Sequence, residues 1–117
     1  MSYEIVIFDA EAAPTDDDDA FVEWYTRQTT PSDDPDVGTV AMRNWYSDFS
    51  SDFPAANGPY PDAHDGNTYY EFGPTITRAT VPVELGKRAA DSARSLAGKD
   101  CVGFFNPNAD ELRLFFP

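Results

Sequence analysis

Between Val37 and Pro61 the chain reads VGTVAMRNWYSDFSSDFPAANGPYP, and no other stretch restricts the fold so closely. Apolar side chains recur at Val37, Ala41, Met42, Trp45, Phe49 and Phe53. That spacing of three and four collects them on one stripe of a helix and turns Arg43, Asn44, Ser47, Asp48 and Ser51 to water. Thr39 stands where a hydroxyl can cap the first free amides. Pro54 has no amide proton and biases Phe53 away from helical angles, and Asn57-Gly58-Pro59 then supplies turn chemistry. A helix carrying two large aromatics and a methionine on one stripe must bury it against a second layer.

The partner layer is a sheet. Tyr3-Glu4-Ile5-Val6-Ile7-Phe8 is β-branched and aromatic with an almost unbroken apolar run, which predicts a strand buried on both faces and central in its sheet. After a short connection, Thr15 and the four aspartates Asp16 to Asp19 read as a helix start. Thr15 and Asp18 form a capping-box-like pair, with the carboxylates at the positive end of the helix dipole. Ala20, Phe21, Trp24, Tyr25 and Gln28 continue at helical spacing, ending near Pro31. Thr68–Phe72 and Thr75–Val81 flank a Gly73-Pro74 break and read as a hairpin. Leu85, Ala89, Ala93 and Leu96 mark a third helix with Gly98 as its C-terminal cap. Cys101–Phe105 and Leu112–Phe116 form a second hairpin. The 117 residues therefore read as one α+β domain, order β-α-α-β-β-α-β-β, a mostly antiparallel sheet with helices packed on one face. Two connections are too short for the crossovers of a parallel sheet.

Charge divides the chain. Residues 1–65 hold 15 acidic and two basic side chains, whereas residues 66–117 hold six of each, so the first half carries the whole net charge of −13. Such a field repels nucleic acid and anionic lipid and attracts basic partners. Adaptation to salt is the competing explanation, but it would spread acid over every surface. The acidic loop Ser32–Asp36 enters the central helix, and Asp62-Ala63-His64-Asp65-Gly66 follows it. The single cysteine, Cys101, has no bridging partner and reads as a buried, inert strand thiol, which suits a reducing compartment. No secretory leader pattern opens the chain, and its apolar runs of four or five residues fall far below the roughly 20 that a membrane span needs. The expectation is a cytoplasmic protein.

Catalytic chemistry has no recognisable frame in this sequence. Nucleophile elbow, paired metal-ligand motif and phosphate-cradling glycine loop are all missing, and one histidine alone makes no dyad. The four aspartates lack the spacers and turn glycine of a calcium loop, and Asp62, His64 and Asp65 lie too close in sequence to wrap one ion. The reading calls for no cofactor and no metal. An alternative remains: a small cytosolic ligand-binding domain or enzyme whose site gathers Asp9, His64, Tyr69 and Glu71.

Several short motifs point further. Phe8-Asp9 followed by Ala12-Ala13-Pro14, then Phe21-x-x-Trp24-Tyr25-x-x-Gln28-Thr29, Asp34-Pro35, Trp45-Tyr46, Phe53-Pro54, Asn57-Gly58-Pro59-Tyr60, Val102-Gly103-Phe104-Phe105 and terminal Pro117 span nearly the whole chain. Together they resemble small bacterial immunity proteins of polymorphic toxin systems, encoded beside Rhs-type or type VI secretion effectors. The resemblance implies a non-enzymatic antidote that binds a cognate toxin domain and occludes its active site. It transfers no residue roles. The candidate partner-binding residues come from charge and exposure: Asp33, Asp34, Asp36, Asp62 and Asp65 in the two acidic loops, with Tyr60 as an aromatic anchor.

Overall fold

The computed structural model describes residues 2–15, 17–32, 34–56, 68–108 and 113–117. Its elements are β1 (Ser2–Phe8), α1 (Asp18–Thr26), α2 (Val40–Asp52), β2 (Tyr69–Phe72), β3 (Ile76–Pro82), α3 (Gly86–Asp100), β4 (Gly103–Asn106) and β5 (Arg113–Phe115). Single turns of 3-10 helix at Pro35–Val37 and Val83–Leu85 lead into α2 and α3. The class and the order of strands and helices agree with the sequence reading. Every neighbouring pair in the sheet is antiparallel, in the order β2-β3-β1-β4-β5. β1 lies in the middle, and Ile5, Val6, Ile7 and Phe8 have no exposed surface at all.

That burial corrects the expectation of helices on one face. Side chains alternate along a strand, so Ile5 and Ile7 meet the α2–α3 layer while Val6 and Phe8 point the opposite way. There α1 covers them: the Phe21 ring lies 4.9 Å from Phe8 and 5.2 Å from Phe105. A strand apolar on both sides needs cover on both sides.

The larger core is built around α2. Met42, Trp45, Phe49 and Phe53 are buried, with Trp45, Phe49 and Phe53 stacked successively at 4.6 Å. Ala89, Ala93 and Ala97 give α3 a face of small side chains, which lets the indole lie close enough for its Nε1 to donate to the Ala93 carbonyl at 3.1 Å. The Tyr70 hydroxyl donates to the Phe53 carbonyl at 2.6 Å and satisfies one of the acceptors that α2 leaves open at its end. Thr39 caps α2 as read, accepting from the Met42 amide at 3.1 Å. Val37 falls outside the helix and is exposed.

Two helix boundaries differ from the sequence reading. Asp17, not Thr15, caps α1, because its extended backbone directs a carboxylate oxygen to the Ala20 amide at 2.7 Å. Gly98 lies inside α3, and Cys101 ends the helix in the left-handed region at φ 62. Helical geometry must continue past Gly98 so that the Val102 amide can close on the Ala97 carbonyl at 3.0 Å while both side chains enter the core. Cys101 is therefore an exposed cap residue and not a buried strand thiol.

These features make two predictions for denaturant unfolding. Trp45→Ala costs about 3–5 kcal/mol, since it empties the centre of the α2–α3 contact. Cys101→Gly stabilises by about 1 kcal/mol, since glycine adopts a positive φ without the penalty a side chain incurs, whereas Cys101→Val destabilises.

Candidate binding face

α1 is nine residues long, so it spans only about 13 Å. It covers one end of its sheet face, with Tyr25 its last large ring, and ends at Thr26. Beyond it the same face carries Glu4 of β1, Arg78 and Thr80 of β3, and Tyr69 and Glu71 of β2, aligned by the pairings Glu4 with Thr80, Tyr69 with Thr80 and Glu71 with Arg78. No described side chain of this row is fully buried, and Tyr69 is 52% exposed.

The row is held together by charge. Arg78 Nε pairs with Glu4 Oε1 at 3.2 Å and donates to the Tyr25 hydroxyl at 3.3 Å, while Nη1 donates to Thr30 Oγ1 at 3.1 Å. The guanidinium also lies 5.4 Å from the centre of the Tyr25 ring. Burial works against the Arg78 charge, but the Tyr25 hydroxyl and the Glu4 and Glu71 carboxylates outweigh it and push its pKa up. Burial likewise raises the Tyr25 phenol, with Glu4 adding to the rise and Arg78 opposing it.

The segment leaving α1 is fastened to the outer edge of β2. Ser32 and Phe72 exchange backbone hydrogen bonds of 3.2 and 2.8 Å. Contact is tight beside them, where a Cβ placed on Gly73 would sit 1.9 Å from the Thr29 carbonyl oxygen. Ser32 Oγ then accepts from the Asp34 amide at 3.0 Å, and Asp34 Oδ1 accepts from the Asp36 amide at 2.9 Å, capping the 3-10 turn. Between this segment and the strand lies an open cleft of about 420 Å³ lined by Thr30, Pro31, Ser32, Tyr69, Tyr70 and Glu71.

Of the residues singled out in the sequence, Asp34 and Asp36 border this face. The Asp34 carboxylate is engaged in capping, and Asp36 is largely exposed with a loose 3.9 Å ion pair to Arg43. Asp33, Tyr60, Asp62, Asp65 and His64 lie outside the described residues. Ala56 and Thr68, which flank the second acidic loop, are joined by a 2.7 Å hydrogen bond at the start of β2. Asp9 stands apart from Tyr69 and Glu71. Its amide bonds to Thr75, three residues along β3 from the partner of Glu71 and two strands away, so about 10 Å separates them in each direction. Glu4, Tyr25, Thr30 and Arg78 did not emerge from the sequence reading; the signal was a charged residue inside each of two apolar strands.

A second acidic contact joins α2 to α3. The Asp48 and Asp100 carboxyl groups are neighbours, and Lys99 Nζ reaches Asp48 Oδ2 at 3.2 Å. Burial, and then the adjoining Asp48, push Asp100 up to about 6, while the neighbouring Asp100 and Lys99 lower Asp48. Among the described residues no three His, Cys, Asp or Glu side chains gather in a way that suits a metal ion, and no helix is long and apolar enough to cross a membrane. Comparisons with protein-family models, with curated proteins and with solved structures find no match.

The raised Asp100 pKa sets the sign of a pH effect. The folded state binds this proton more tightly than the unfolded chain, so the stability contributed by Asp100 grows as pH falls through about 6 toward the unfolded carboxylate value. Thermal melts should show the melting temperature of the parent chain rising between pH 7.5 and pH 5 by more than that of Asp100→Asn, with the variant the more stable of the two at pH 7.5.

Proposed function

We propose that this chain is a non-enzymatic inhibitor of the immunity-protein type, acting in the cytoplasm by binding a basic toxin domain and covering its active site. The observation that carries the reading is the half of a sheet face that α1 leaves open, bordered by an acidic segment anchored to the edge of β2. An open face built on a sheet presents fixed side chains, so little ordering is needed on association. The acidic excess of residues 1–65 adds a long-range attraction for a cationic partner, raising the rate of encounter and disfavouring acidic competitors. The resemblance to immunity proteins supplies the class of partner, and the toxin domain encoded beside this chain is the one to test.

Asp36→Lys combined with Asp62→Lys and Asp65→Lys is expected to slow association with that toxin domain about tenfold or more at low salt. It should also flatten the salt dependence and leave the melting temperature within a few degrees of the parent. Stopped-flow mixing measures the rates. Unchanged rates at every salt concentration would remove the acidic field from the account, and the lack of any complex would remove the inhibitor reading itself.

A further inference from the structure

Tyr69 and Glu71 occupy the same face of β2, two residues and therefore about 7 Å apart. The ring is half exposed, and among the described residues neither a cation nor another aromatic ring is placed against it. The Glu71 carboxylate has a hydroxyl neighbour, Thr30 at 3.5 Å, and no ion pair among the described residues. An aromatic ring and a carboxylate without a direct ion pair among the described residues thus open together into the cleft.

One strand pairing inward, the fold shows what such a combination holds. Arg78 is seated against the Tyr25 ring at 5.4 Å with its Nε on Glu4 at 3.2 Å. Tyrosine and glutamate side chains together suit a guanidinium, whose planar face stacks on the ring while its edge donates to the carboxylate. An ammonium makes the second contact without the first in the same orientation. Glu4 makes the direct ion pair with Arg78, and the row Glu4, Arg78, Glu71 keeps one net negative charge, with Glu71 lining the cleft.

We propose that this cleft is the seat for a single arginine side chain of the partner, stacked on Tyr69 and paired with Glu71. The inference rests on the reading of the partner as a basic protein, and it adds a position and a residue type to the charge attraction argued above. Thr30 and Ser32 line the cleft opposite the strand. Arg78 is near enough for Glu71 to act on its charge, so it faces the same carboxylate from within the sheet.

Because the seat is a property of this chain alone, it can be tested without the toxin. The ¹⁵N–¹H spectrum of the intact protein is titrated with acetyl-Gly-Arg-Gly-amide, with the lysine and citrulline peptides in parallel. The proposal expects roughly millimolar binding, shifts centred on Thr30, Ser32, Tyr69 and Glu71, and affinity falling from arginine to lysine to citrulline. Glu71→Gln and Tyr69→Leu should each weaken the arginine peptide about five-fold or more, whereas Tyr69→Phe, which keeps the ring, should bind as the parent does. Melting curves confirm that the variants fold. The proposal is overturned if citrulline binds as well as arginine, if shifts spread equally over Asp17–Asp19 and Asp36, or if Glu71→Gln and Tyr69→Leu titrate like the parent. Any of these results leaves the toxin complex untouched, and a missing toxin complex leaves the peptide result standing.

Discussion

Four consecutive side chains of β1, Ile5 to Phe8, are wholly removed from water, and the rest of the molecule follows from that burial. A strand in this condition must be flanked by partners at both edges and covered on both faces. β3 and β4 take the edges. Burial at this level contributes roughly 1.5–3 kcal/mol per large apolar side chain, so each cover is strongly favoured. The two covers are unequal. α2 and α3 form a broad layer in which Trp45 lies against an alanine face, whereas α1 is a short helix whose aromatics pack on Val6, Phe8, Ile76 and Phe105 and end at Arg78.

That inequality links the fold to the candidate binding face. Where α1 ends, the sheet changes from apolar to charged, and Arg78 becomes the junction between the two regimes. It stacks on Tyr25, the last large ring of α1, and pairs with Glu4, the first charged residue of β1. Fastening Ser32 to Phe72 closes part of the β2 edge with backbone hydrogen bonds, which discourages indiscriminate strand pairing. The same bonds hold the acidic segment beside Tyr69 and Glu71. An edge protected in this way presents side chains to a partner and keeps its backbone occupied.

Much of this was legible in the residues. The run Ile5 to Phe8 marks a doubly buried strand, Thr39 and the Met42-Trp45-Phe49-Phe53 stripe mark α2, and Gly73-Pro74 marks a hairpin. The distribution of helices over both faces was implied by the same apolar run, and reading the helices onto one face conflicted with it. The end of α3 was not legible, because the choice between Gly98 and Cys101 depends on where Ala97 and Val102 enter the core. Nor was the charged row, since Glu4, Arg78 and Glu71 meet only through strand register, which local pattern does not encode. Charge asymmetry drew attention to the acidic loops as candidates for binding, while the sheet residues Glu4, Arg78 and Glu71 come together only through tertiary packing.

The proposal that the uncovered half of this sheet face is where a partner binds is tested most directly by hydrogen–deuterium exchange of the chain alone and in complex with the toxin domain proposed as its partner. The account predicts new protection in residues 30–36 and 69–72, with the exposed side of α3 unchanged. Protection confined to α3 around Lys87, Arg88 and Arg94, with β2 and the Ser32 segment unaffected, would contradict it.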